Sequence, residues 1–175
     1  MFGDQYSGIV GFFGIVRALE GRTKLQKSIY LAKEHGFPGL WERFDFHRFG
    51  PYSETLANEV QELVQLGILT ERKVSDTHPM YAYELNESAF QYFEEYIAAA
   101  RQYRELASYI VKEDVRSLEL AATLLYFTRN GYSRVQAERE VTRVKAERQF
   151  TQVEMDRAWS FLDGLQDAAT RLSSN

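Results

Sequence analysis

The sequence predicts an α+β fold that is mainly helical: a winged-helix-like N-terminal half packed with a C-terminal helical bundle. Three observations carry this expectation. Apolar residues recur at three- and four-residue spacing in three separate segments before Gly67, two segments with strand-like patterning follow, and beyond Asn86 the helical period returns and persists. With 45% hydrophobic and 26% charged residues and three prolines in 175, the composition is that of an ordered chain. Its length suits one compact unit, or two intimately packed halves spanning residues 1–86 and 87–175.

Taken in order, Ile9, Phe12, Phe13, Val16 and Leu19 share a helical face, so the spacing predicts a first helix over residues 5–19, ended by Gly21. Gly8, Gly11 and Gly14 lie along one side of it. Each costs a helix about 1 kcal/mol relative to alanine, so close approach of another backbone is expected to account for their place, with contact to a ligand as the alternative. Thr23 and Gln26 match a capping box, and Leu25, Ile29 and Ala32 form the buried stripe of a second helix that stops near Gly36-Phe37-Pro38-Gly39. Phe44, Phe46 and Arg48 alternate with Arg43, Asp45 and His47 as in a short strand.

Gly50-Pro51-Tyr52 is expected to turn the chain, with Ser53 capping a third helix whose apolar face is Leu56, Val60, Leu63, Val64 and Leu66 and whose end is Gly67. Residues 68–74 and 80–85 read as the two strands of a wing. A long helix is expected over the stripe Phe90, Phe93, Tyr96, Ile97, Ala100 and Tyr103, serving as core or as a dimer seam. An apolar helix over 118–127 follows, then helices opened by the capping boxes Ser133/Gln136 and Thr151/Glu154.

Composition excludes several functions. Without cysteine there is no disulfide, thiolate nucleophile or cysteine-bound metal, in keeping with a cytoplasmic setting. The apolar run over 8–16 is too short to span a bilayer, and its charged flanks and missing cleavage site do not suit a signal peptide, so no membrane association is expected. The three histidines are dispersed, no HExxH, GxSxG, P-loop or Rossmann pattern occurs, and neither catalysis nor a cofactor nor a metal is expected. A net charge of −4 opposes nonspecific affinity for nucleic acid.

The chemistry of interest sits in two short motifs, Arg22-Thr23-Lys24-Leu25-Gln26-Lys27 and Phe49-Gly50-Pro51-Tyr52-Ser53. Three cations at a helix start oppose the macrodipole, at a cost of a few tenths to about 1 kcal/mol each, so the fold gains nothing locally from them. Such a start attracts a phosphate, a carboxylate or an acidic side chain. Pairing with Glu20, Asp45 or Glu54 is the structural alternative. Arg22, Lys24, Lys27, Tyr30, Arg48 and Tyr52 are therefore the candidate partner- or anion-binding residues, with His47 beside them. The third helix exposes Glu54, Asn58, Glu59, Gln61, Glu62 and Gln65, with no Lys or Arg between Gly50 and Glu71, and a DNA reader normally needs basic neighbours there. Arg72, Lys73 and His78 in the wing are the candidate nucleic-acid contacts.

With these residues assembled, the chain resembles the YwgA-like family of uncharacterised bacterial and archaeal proteins, through Gly21 to Lys27 (Gly-Arg-x-Lys-Leu-Gln-Lys) and Phe49 to Ser53 (Tyr/Phe-Gly-Pro-Tyr-Ser). A looser similarity, limited to Lys-Leu-Gln-Lys-x-x-Tyr and the Gly-Pro turn, is to the Panacea-type domains of antitoxins and proteolysis adaptors. That similarity implies a protein partner. The expectation is a non-catalytic regulatory or adaptor protein that docks a protein through the basic patch. The rivals are a DNA-binding regulator, dimeric through its C-terminal helices, and a sensor of a phosphorylated small ligand, which a deep pocket beside Arg22 would favour.

Overall fold

The computed structural model describes residues 4–78 and 80–174. The fold is α+β and mainly helical, with two small antiparallel sheets. Helix α1 (Ser7–Val16) leads into β1 (Ala18–Glu20) and α2 (Arg22–Glu34). The hairpin β2 (Asp45–His47) and β3 (Gly50–Tyr52) precedes α3 (Glu54–Gln65), and β4 (Leu69–Ser75) and β5 (Met80–Leu85) form the wing hairpin. Helices α4 (Glu87–Tyr92), α5 (Glu94–Ala100), α6 (Arg104–Val111), α7 (Val115–Arg129), α8 (Arg134–Val144) and α9 (Gln152–Ser173) complete the chain. Three helices with a three-stranded sheet in the order β1-β5-β4 are consistent with a winged helix.

Helix α1 is shorter than its periodicity predicts. Arg17 takes a left-handed φ of 68°, and Leu19 joins β1 opposite Tyr83, a pairing partner too distant in sequence for local pattern to reveal. The Gly-Pro-Tyr segment is a strand, with Phe46 opposite Pro51, instead of a simple turn. The expected capping box of α2 does not form: Gly21 is its N-cap, with no side-chain hydrogen bond. Gln26 points into the interior and leaves the cap without its second member. The expected long helix over the aromatic stripe is broken at Phe93 and at the 3-10 turn Arg101–Tyr103. Phe93, Ile97 and Ala100 are buried in the core and so do not form an open seam.

Other local expectations hold. Ser53 accepts from the backbone N–H of Leu56, and both later capping boxes, at Ser133 and Thr151, are complete. The glycines of α1 permit close packing: a Cβ at Gly8 would lie 2.3 Å from the Gly39 carbonyl carbon, and one at Gly14 would lie 2.5 Å from Ile97. One continuous apolar core runs through both parts of the chain, from Tyr6 to Ala168, with α2 laid against α6 and α7. That packing lays α2 and the β2–β3 hairpin over α7.

Candidate functional site

The two sequence motifs hydrogen-bond directly to each other. The Gln26 side chain accepts from the Ser53 N–H through Oε1 and donates to the Ser53 carbonyl through Nε2, both at 2.9 Å. Lys27 Nζ donates to the Pro51 carbonyl at 2.6 Å. Two adjacent side chains of α2 thus clamp the backbone that links the hairpin to α3. Gly50 is required there twice over: its φ is 87°, and a Cβ would meet Thr123 Oγ1 of α7 at 2.6 Å.

Between the start of α2, the β2–β3 hairpin, α3 and the wing lies a cavity of about 440 Å³, within the range of small-ligand and peptide pockets. Leu25, Phe49, Tyr52, Ala57 and Val60 supply its apolar walls, and Arg22, Lys27, His47 and Arg48 its basic groups. His47 and Tyr52 stack across the hairpin with ring centroids 5.0 Å apart.

Its two ends differ in charge. At the wing end Arg22 is neutralised: its Nη2 lies 2.9 Å from Glu71 Oε1, its Nε donates to the Tyr83 hydroxyl at 3.1 Å, and its guanidinium covers the Tyr81 ring at 4.1 Å. Tyr83 donates to Glu71 at 3.0 Å, closing a small triangle. Its hydrogen bonds to Glu71 and Tyr83 hold the Arg22 guanidinium above its already high range. The internal partner is Glu71, whereas Asp45 pairs with Arg43 at 3.4 Å.

The hairpin end is backed by a buried charge cluster that sequence reasoning missed. Glu119 of α7, 3% exposed, receives Lys145 Nζ at 2.7 Å and Arg148 Nη2 at 2.8 Å. Lys145, 1% exposed, also donates to the Arg48 carbonyl at 2.8 Å, fixing the hairpin turn from beneath. The guanidinium carbons of Arg48 and Arg148 lie 5.5 and 5.4 Å from the centre of the Phe49 ring. Lys27 is 1% exposed. Burial first, and then the neighbouring Lys145, lower its ammonium from the ordinary lysine range to about 8, against the opposing pull of Glu119. The available signal was Glu119 itself, a carboxylate inside a strongly apolar helix, which is rare without a partner. Nothing local marked Lys145 or Arg148 as that partner.

Of the residues selected from sequence, Arg22, Lys27, Arg48 and Tyr52 converge on the cavity. Lys24 is half-buried and is not part of the lining. Tyr30 is not brought to the cavity: it is buried against Phe44, with ring centroids 5.1 Å apart, and burial raises its hydroxyl pKa. Of the wing residues, Arg72 pairs with Ala82 and so falls on the face opposite Glu71 and Tyr83. Lys73 lies 3.5 Å from Asp76, and His78 is exposed in the turn. None of the three lines the cavity. Among the described residues, no group of three or more His, Asp or Glu side chains is placed to hold a metal, and no helix is long and apolar enough to cross a membrane.

No protein-family model matches the chain. It is 35% identical over 127 residues to the uncharacterized protein YwgA of Bacillus subtilis (strain 168), an alignment covering 70% of this chain and 74% of that protein. This likeness agrees with the resemblance carried by the paired motifs that build the cavity, and the chain belongs to the YwgA-like family.

Proposed function

We propose that the protein is a non-catalytic regulatory or adaptor protein that takes an anionic, partly apolar segment of a protein partner into the cavity between α2, α3 and the β2–β3 hairpin. The observation that carries this reading is the pairing of an apolar-walled cavity with a basic end whose cations outnumber the nearby carboxylates. Phe49, 45% exposed, provides an aromatic contact at the same site, a residue type enriched where proteins meet. The acidic exposed face of α3 gives the partner a second, oppositely charged region to match.

The same cavity supports a sensor of a phosphorylated small ligand as the second reading, because it is concave and adjoins Arg22. The DNA-regulator reading receives less support, since α3 offers phosphates only acidic and neutral side chains and the basic wing residues lie outside the cavity. The test is affinity capture from an extract of the source cells, nuclease-treated and untreated, with wild type and Arg48→Glu. A protein that survives nuclease and is lost with Arg48→Glu supports the adaptor reading. Recovery of nucleic acid alone, released by salt, overturns it.

A further inference from the structure

We propose that the hairpin end of the cavity is an oxyanion subsite, in which Lys27 and Arg48 receive a carboxylate or phosphate group whose apolar body lies against Leu25, Tyr52 and Val60. The inference rests on the reading of this cavity as the binding place and names the chemistry it selects.

Charge balance is the first argument. Lys27, Lys145 and Arg148 surround Glu119, so three cations face one carboxylate behind this wall. Glu71, at the far end, is occupied by Arg22 and Tyr83. Two of these cations, Lys27 and Lys145, are fully buried, and such an excess is unfavourable unless an anion completes it.

The second argument is the bonding of Lys27. An ammonium has three N–H donors, and among the described residues Lys27 Nζ is given one acceptor, the Pro51 carbonyl. Lys27 is 1% exposed and lines the cavity, so an acceptor entering the cavity can satisfy the remainder. The lowered pKa of Lys27 fits that state, because burial depresses it and an anion alongside would raise it again.

Arg48 supplies the third argument. Its guanidinium is exposed on the cavity wall, with no carboxylate partner among the described residues and with Phe49 beneath it. Arginine so placed can grip an oxyanion through two parallel N–H donors, while Lys27 approaches from the floor. Leu25 and Val60 offer only apolar surface beside it, so the ligand is an anion at one end and apolar in its body.

The test titrates wild type, Lys27→Met and Arg48→Ala with N-acetyl-leucine, its uncharged amide and phenyl phosphate, read by amide NMR shifts of cavity residues. The expected result is saturable binding of one or both acids, no measurable binding of the amide, and a loss of about ten-fold or more in either variant, equivalent to about 1.4 kcal/mol or more. Tighter binding of N-acetyl-leucine identifies a peptide carboxylate as the source, and tighter binding of phenyl phosphate a phosphate monoester. Arg48→Ala changes an exposed side chain, so it decides the matter even if Lys27→Met does not fold. The proposal is overturned if neither acid binds wild type, if the amide binds as well as the acids, or if Arg48→Ala leaves the affinities unchanged. Capture of a partner that depends on Arg48 without binding of either acid would remove the subsite and leave the adaptor reading standing. Lys27-dependent binding of the acids without any captured protein would do the reverse.

Discussion

Glu119→Gln is expected to destabilise the protein by about 3–5 kcal/mol, the range seen when one partner of a buried ion pair is removed. The carboxylate lies 2.7 Å from Lys145 Nζ and 2.8 Å from Arg148 Nη2. At an effective dielectric of about 20, each contact corresponds to roughly 6 kcal/mol of attraction before solvation is counted. The Arg148 contact is discounted because that side chain is 34% exposed. Lys145 has no such outlet, and glutamine leaves its ammonium buried with only the Arg48 carbonyl and a neutral amide. Urea denaturation at pH 7 measures the loss as a fall in midpoint at unchanged slope. Because domains of this kind are stable by only about 5–15 kcal/mol, the variant should approach the unfolding threshold. Adding Lys145→Met should restore at least half of the loss. A Glu119→Gln midpoint equivalent to within about 1 kcal/mol of wild type would show that the buried cluster contributes little to stability.

Two further perturbations test other parts of the structure. Glu59 and Glu42 each keep a buried carboxylate oxygen without a hydrogen-bond partner, and burial first, then repulsion from Glu42, raises Glu59 to about 7. Since the folded state holds this proton more tightly than the unfolded one, stability falls as pH rises from about 4.5 to about 7. Glu59→Gln should remove that fall, gaining about 1–2 kcal/mol at pH 8 after allowance for solvent screening; thermal melts at pH 5 and pH 8 that shift equally would contradict this. Gly8→Ala should destabilise by about 1–3 kcal/mol despite the better helix propensity of alanine, because its Cβ would meet the Gly39 backbone at 2.3 Å. A raised melting temperature in this variant would show that the approach of the two backbones is not tight.

Local chemistry made much of this fold legible. Ser53, Ser133 and Thr151 act as caps because each combines a side-chain acceptor with an extended backbone at a helix start. Leu19 was misplaced because its strand is defined by Tyr83, and helical periodicity has no access to a pairing made across the chain. Gln26 fits a capping box by spacing, yet the bonds to Ser53 recruit it to tertiary structure. At the site, Lys27 and Arg48, singled out by charge and motif, line one cavity. Tyr30, three residues after Lys27, falls close to the same helix face but almost a turn further along, where Phe44 covers it. Glu119 stands out inside an apolar helix, but Lys145 and Arg148 as its partners, and Glu71 as that of Arg22, lay beyond reach because charges brought together by folding leave no spacing in sequence.

If a protein partner binds in the cavity, as proposed, a photo-crosslinker in place of Phe49 will capture it. Phe49 lines the cavity and is 45% exposed, so the probe reports on whatever enters. The expected result is a nuclease-resistant adduct to a protein, mapped to a segment that carries an anionic group beside an apolar residue, and loss of that adduct when Arg48→Glu is added. An adduct to nucleic acid alone, or a protein adduct indifferent to Arg48→Glu, would contradict it.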